Sequence, residues 1–226
     1  MEQIIRWGFL GCGKVVHKKS GDAFRNVPHS RIEAIMRRDL DAAKASAEHF
    51  GATKYCNSVE ELLAMDIEAV YIATPPGMHY EQAMQCLKAG KAVYLEKPFA
   101  RNYTEAKELT EAFEKAGVPL YIGHYRRALP RFLKIREMLR EGRIGKPIFI
   151  EFELNRIFSP KEAEESWLYN PVLSGGGKFY DISPHTVDIL NFLFGDMVEV
   201  EGYAKNLGTG CPLENEVELR FVTEKE

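Results

Sequence analysis

The sequence predicts an α/β protein: a doubly wound parallel sheet at the N-terminus, followed by a smaller α+β region. Three observations predict it. Short apolar runs rich in β-branched and aromatic residues alternate with helical patterns as far as residue 123. The first of these runs ends in Gly11-Cys12-Gly13 and passes directly into a helical stretch. Beyond residue 123 the alternation gives way to a different, more polar pattern, which sets two domains at 1–123 and 124–226.

Residues 4–10 read as a buried strand, and Gly11-Cys12-Gly13-Lys14-Val15-Val16 follows at once. Strand, Gly-x-Gly, helix is the layout in which backbone N–H groups at a helix start cradle a pyrophosphate. Gly11, Cys12, Gly13, Lys14 and Val15 are therefore the first expected cofactor-binding residues. The third glycine or alanine of that fingerprint is replaced by Val16, a departure that would push the helix slightly off the strand or the phosphate. Residues 31–36 supply a second strand at βαβ distance. That strand ends Met36-Arg37-Arg38-Asp39, with arginine where an acid usually reads the ribose 2′-hydroxyl. Two guanidiniums favour a 2′-phosphate, so Arg37 and Arg38 point to NADP ahead of NAD. The plainer alternative is a solvated basic turn, with Asp39 capping a helix over 40–50.

Residues 68–73 are another buried strand, stopped by Thr74-Pro75-Pro76-Gly77. A helix beginning at His79 runs to about residue 89, and a strand over 92–95 leads into Glu96-Lys97-Pro98. Ligands of such sheets gather at the carboxyl ends of the strands. Thr74, Pro75, His79, Glu96 and Lys97 join the expected cofactor set on that ground, and Lys97-Pro98 is a candidate cis peptide. A helix over 104–116 and a strand over 118–123 complete the unit.

In the second region His124-Tyr125-Arg126-Arg127 leads to an amphipathic helix over 130–140 and a turn over 141–147. Residues 147–154 alternate as a half-buried strand should. Residues 159–173 are polar and irregular, with Trp167 and Tyr169 as wall residues of a pocket. Gly175-Gly176-Gly177 then opens a stretch containing Asp181, His185 and Asp188, spaced four and three so that one helix would line them on one face. A histidine held between carboxylates suits proton donation and acceptance. An ordinary helix start is the alternative, with Ser183 as N-cap, Pro184 at the first position and His185 in the core. Strands over 197–205 and 214–223 end the chain.

A net charge of −3 over 226 residues gives no reason to expect nucleic acid or an anionic membrane as partner. Cys12, Cys56, Cys86 and Cys211 form no Cys-x-x-Cys pair or short metal-ligand spacing, which suits a reduced, cytoplasmic setting and no metal. Neither a secretion signal nor a membrane-spanning run is present in the sequence. Asn102-Tyr103-Thr104 matches a glycosylation triplet by chance.

With Gly11-Cys12-Gly13, Glu96-Lys97-Pro98 and Gly175-Gly176-Gly177-x-x-x-Asp181-x-x-x-His185-x-x-Asp188 in order, the chain resembles the glucose-fructose oxidoreductase, inositol dehydrogenase and rhizopine-catabolism protein family. The resemblance implies a Rossmann domain binding NAD or NADP and a second domain with a mainly antiparallel sheet. That second domain would form a substrate pocket and a homo-oligomer interface, as a dimer or tetramer. It also implies a polyhydroxylated small-molecule substrate, such as a sugar or cyclitol. By position, Lys97 matches a lysine that contacts substrate and cofactor, His185 the acid/base, and Asp181 the aspartate that orients substrate or histidine. Pro76 departs from the asparagine of many relatives. The chain stops soon after its last strand where relatives continue, so the second sheet is expected to be incomplete. A cofactor-binding sensor without turnover, or a truncated enzyme, is the rival reading.

Overall fold

The computed structural model describes residues 4–155, 166–208 and 210–224. They fall into two units, Met1–Gly123 and His124–Glu226.

In the first unit six strands form one parallel sheet in the order β3-β2-β1-β4-β5-β6. β1 is Ile5–Leu10, β2 Ser30–Met36, β3 Lys54–Cys56, β4 Ala69–Ile72, β5 Ala92–Leu95 and β6 Leu120–Ile122. The pleat sends alternate side chains to opposite faces, and both faces are buried. Leu10, Val70, Ile72, Val93 and Leu95 pack on one side, while Phe9, Ile35 and Tyr71 pack on the other. The covering helices are α1 (Gly21–Asn26), α2 (Leu40–Phe50), α3 (Val59–Ala64), α4 (His79–Lys88) and α5 (Tyr103–Ala116). Asp39 caps α2 by accepting from the Ala42 N–H at 2.9 Å, as its position before the helix suggests. Asn102, the residue of the glycosylation-like triplet, caps α5 through the Glu105 N–H at 3.0 Å. Ser58 does the same for α3. β3 and α3 are elements that the strand–helix alternation of the sequence does not single out.

Val16 stands at the third small-residue position of the glycine fingerprint. It is fully buried, and the helix that follows the Gly-x-Gly turn opens into a π-helical turn, Val16–Ser20, before tightening into α1. A close approach between helices occurs at Gly21, which faces Phe50 of α2. A Cβ there would run into the Phe50 ring and lie 2.8 Å from the Val16 carbonyl oxygen.

The second unit holds a 3₁₀ turn, Tyr125–Ala128, and α6 (Pro130–Arg140). After them come α7 (Pro171–Ser174), α8 (Lys178–Ile182) and α9 (Pro184–Phe194). β7 (Met197–Lys205) and β8 (Glu216–Thr223) pair antiparallel in a two-stranded sheet. β8 starts two residues later than the sequence predicts. Glu214 instead accepts from the Gly177 N–H, and Asn215 accepts from the Leu207 N–H at 2.8 Å. The strand expected over 147–154 does not form: residues 145–155 have no regular structure, and Ile148 is 98% exposed. Period-2 alternation makes a strand only where a neighbour supplies a ladder, and among the described residues β7 and β8 pair with each other alone. Of the expected 159–173 loop, residues 159–165 lie outside the described residues, as do Lys225 and Glu226 at the end of the chain.

Two stability outcomes follow from this packing. Gly21→Ala forces the Phe50 ring or the helix backbone to move and should cost about 1–3 kcal/mol, read as a lower urea midpoint. Arg6 joins β1 to β4 by donating to Glu68 from its backbone N–H at 2.7 Å and from Nε at 2.9 Å. The guanidinium holds the Glu68 carboxyl below the usual carboxylate range. The stability from that pair is present above about pH 4.3, the ordinary glutamate value, and is lost as pH falls through the lower folded-state value. Glu68→Gln should therefore flatten the acid side of the midpoint-against-pH curve, and an unchanged slope would remove the pair from the account.

Candidate active site

The sheet is built outward in both directions from β1 and β4, so a crevice opens at their carboxyl ends. Gly11 lies at that point with φ +85°, in the left-handed region. A Cβ on it would sit 2.8 Å from Thr74 Cγ2 and 3.1 Å from the Ala73 backbone. Only a bare residue lets the turn after β1 lie this close to the end of β4. Gly13 is different, since a Cβ there meets nothing within 4 Å. Among the described residues no neighbour requires glycine at 13, and an open backbone at a helix start is what a dinucleotide phosphate needs, so the residues fit a dinucleotide.

The other expected cofactor residues divide into those presented to a ligand and those turned inward. Lys14 and Val15 are exposed, with Val15 at 51%. Cys12 is buried, its Sγ 3.6 Å from His17 Nε2, and burial pushes its thiol pKa up. Its backbone, not its thiol, is what the turn can offer. Arg37 is folded onto α2, donating to Ser46 Oγ at 3.2 Å and to the Ala42 carbonyl at 3.4 Å, whereas Arg38 is exposed. Thr74 donates from Oγ1 to Gln82 at 2.6 Å, and Pro75 leads into the 3₁₀ turn Pro76–Met78.

His79 takes a different place from the one expected of it. Its ring is fully buried, with Nδ1 2.9 Å from the Pro98 carbonyl and Nε2 2.9 Å from that of Thr74. Enclosed in this way, its ring lies between the ends of β4 and β5, where a neutral imidazole donates to one of the two carbonyls. Burial pulls its pKa below the ordinary histidine value, against the pull of those carbonyls.

The Lys97-Pro98 peptide is cis, so the candidate from the sequence holds. Glu96 beside it points inward, accepting from the Tyr71 hydroxyl at 2.5 Å, and Tyr71 in turn lies 2.8 Å from Ser20 Oγ. Burial, then the Glu96 charge, pushes the Tyr71 hydroxyl's pKa well up. Glu96 thus acts as a fixed acceptor beneath Lys97, and Ser20 and Tyr71 are the partners that sequence reasoning misses. The signal was a lone tyrosine in an otherwise aliphatic buried strand.

In the second unit the glycine run is explained by close approach. A Cβ at Gly177 would collide with Glu214, and Gly175 ends α7 in the left-handed region at φ +80°. Asp181, His185 and Asp188 do not share one helix. Asp181 lies on α8 and the other two on α9, with Pro184, which has no N–H, starting the second helix. Ser183 is buried and makes no side-chain cap. His185 meets the Tyr125 ring edge-on, centroids 5.3 Å apart at 78°. Asp188 is buried and engaged by Arg127, so it does not flank the histidine as a free carboxylate. Tyr125 and Arg127 are a second pair that the sequence left unassigned, inside the basic-aromatic run at the domain boundary. Tyr169 is buried with Cys211 and Leu213 in a small core of this unit, while Trp167 is exposed. Tyr169 is therefore a core residue, not a pocket wall.

Comparison with known proteins agrees with this geometry. Residues 5–124 match an oxidoreductase family with an NAD-binding Rossmann fold, and residues 132–224 match the GFO/IDH/MocA C-terminal domain. The chain is 39% identical to oxidoreductase P35 of Formosa agariphila, over 99% of this chain and 68% of that protein. It is 32% identical to 1,5-anhydro-D-fructose reductase of Ensifer adhaerens, over 84% of this chain and 57% of that one. A solved oxidoreductase structure from Thermotoga maritima superposes with TM-score 0.86 at 26% identity, over 99% of this chain and 70% of that one. The chain thus spans between half and three quarters of the length of these relatives. Parallel sheet, glycine turn and both matched regions agree: this chain belongs to the GFO/IDH/MocA family of NAD(P)-binding oxidoreductases.

Proposed function

We propose that the chain transfers hydride between a nicotinamide cofactor, NADP in preference to NAD, and a hydroxyl or carbonyl carbon of a sugar, cyclitol or related polyol. The observation that carries this reading is the placing of Gly11, Thr74 and Lys97 at the carboxyl ends of three adjacent strands, β1, β4 and β5. The bound nicotinamide supplies the hydride donor or acceptor. His185 takes the proton of the substrate hydroxyl as the C–H bond breaks, or returns it in reduction. Lys97 is proposed to contact substrate and cofactor, and Asp181 to orient the substrate or the imidazole. The anhydrofructose reductase among the relatives supports a polyhydroxylated substrate.

Arg38 is proposed to read the 2′-phosphate, with Arg37 anchored behind it on Ser46 and Ala42. Arg38→Ala should weaken NADPH binding about tenfold, the worth of one charge-assisted contact, and leave NADH binding within about twofold of the parent. Equal losses for both nucleotides in a fluorescence titration would remove Arg38 from this role. His185→Ala should lower turnover of sugars and cyclitols, followed at the nicotinamide absorbance band, by about 10²-fold or more, with NADPH affinity unchanged. Retained turnover would move the acid/base role elsewhere.

A further inference from the structure

His185 and Asp188 stand three residues apart on α9, which puts their Cβ atoms about 5–6 Å apart on one side of the helix. An ionised carboxylate on the same side of the helix as an imidazole favours its protonated form. The carboxylate does not act alone. Arg127 reaches Asp188 Oδ1 from Nε at 2.8 Å and from Nη2 at 2.6 Å, and also donates to Asn191 Oδ1 at 3.2 Å. The same guanidinium lies over the Phe192 ring at 5.6 Å, with Arg136 of α6 over that ring at 4.3 Å. His124 Nδ1 is 3.8 Å from Asp188 Oδ1. Asp188 is 8% exposed, and its Oδ2 is buried with no hydrogen bond among the described residues. A carboxylate so enclosed relies on its cation.

The turn that carries Arg127 also carries Tyr125, whose ring meets His185. One short element therefore grips α9 at two points, by charge at Asp188 and by an aromatic edge at His185. The charged or titratable residues on the elements around His185 are Lys178, Tyr180 and Asp181 on α8 and Asp188 on α9. His124, Tyr125, Arg126 and Arg127 lie at and before the 3₁₀ turn, and Arg131, Lys134, Arg136, Glu137 and Arg140 lie on α6. We propose that Arg127 is a positioning residue that acts on His185 through Asp188: it neutralises that carboxylate and so sets the proton affinity of the acid/base, while its turn seats Tyr125 against the imidazole. This rests on the reading of His185 as the acid/base.

The test is an NMR titration of the His185 imidazole in the full chain, its signal assigned by loss in His185→Ala. In Arg127→Met the uncovered Asp188 should move the midpoint up by about one pH unit. Adding Asp188→Asn to that variant should bring the midpoint back. Arg127→Lys keeps the charge but not the fork, and should shift it less than Met does. If Arg127→Met fails to fold by near-ultraviolet circular dichroism, Asp188→Asn alone decides the matter, because an uncompensated Arg127 should move the midpoint down. A midpoint unmoved in folded Arg127→Met, or moved equally by Lys and Met, or not restored by Asp188→Asn, overturns the proposal. The titration reads the imidazole whether or not it is catalytic, so failure of the acid/base reading shows separately, as turnover retained in His185→Ala.

Discussion

The contact on which the first unit depends is the one between Gly11 and Thr74. β1 and β4 are neighbours in the sheet, and the turn leaving β1 can lie across the end of β4 only because residue 11 has no side chain and accepts a positive φ. Thr74 donates from its hydroxyl to Gln82, and the His79 ring lies between the Thr74 and Pro98 carbonyls, 2.9 Å from each. Three strand ends that come from distant parts of the sequence are thereby brought together. A side chain at Gly11 would meet Thr74 and the Ala73 backbone and so disturb the end of β4.

The parallel sheet was legible because burial on both faces writes itself as unbroken apolar runs, and because helix caps such as Asp39 sit where local chemistry demands. The boundaries of α2, α6, β5 and β7 are those the pattern predicts. β3 and α3 were not visible as elements because three-residue strands carry no period, although Ser58-Val59-Glu60-Glu61 is a readable helix start. The strand expected over 147–154 shows the reverse problem. Alternation records which face would be buried, and it is silent on whether a partner strand is present.

At the site, residue types were legible and their directions were not. Spacing placed Asp188 beside His185, yet spacing cannot show that an arginine some sixty positions earlier takes hold of that carboxylate. His79 stands at the start of α4 as its place in the sequence suggests, but whether an imidazole faces a cleft or two carbonyls is decided by packing. Arg37 and Arg38 are alike as letters; Ser46 and the Ala42 carbonyl, one helix away, distinguish the one folded back from the one left outside. In each case the missing information is a tertiary contact.

The pairing of β1 has a kinetic consequence. β1 is flanked by β2, which is close in sequence, and by β4, which is 62 residues away where Arg6 meets Glu68. Closing so long a loop is slower than forming the local β1–β2 crossover. The glycine turn therefore takes its final shape only when β4 docks, after most of its own strand–helix–strand neighbourhood is in place. During synthesis the glycine turn becomes competent to bind only after β4 has been made and docked, and a nucleotide present at that stage would stabilise the docked form by mass action.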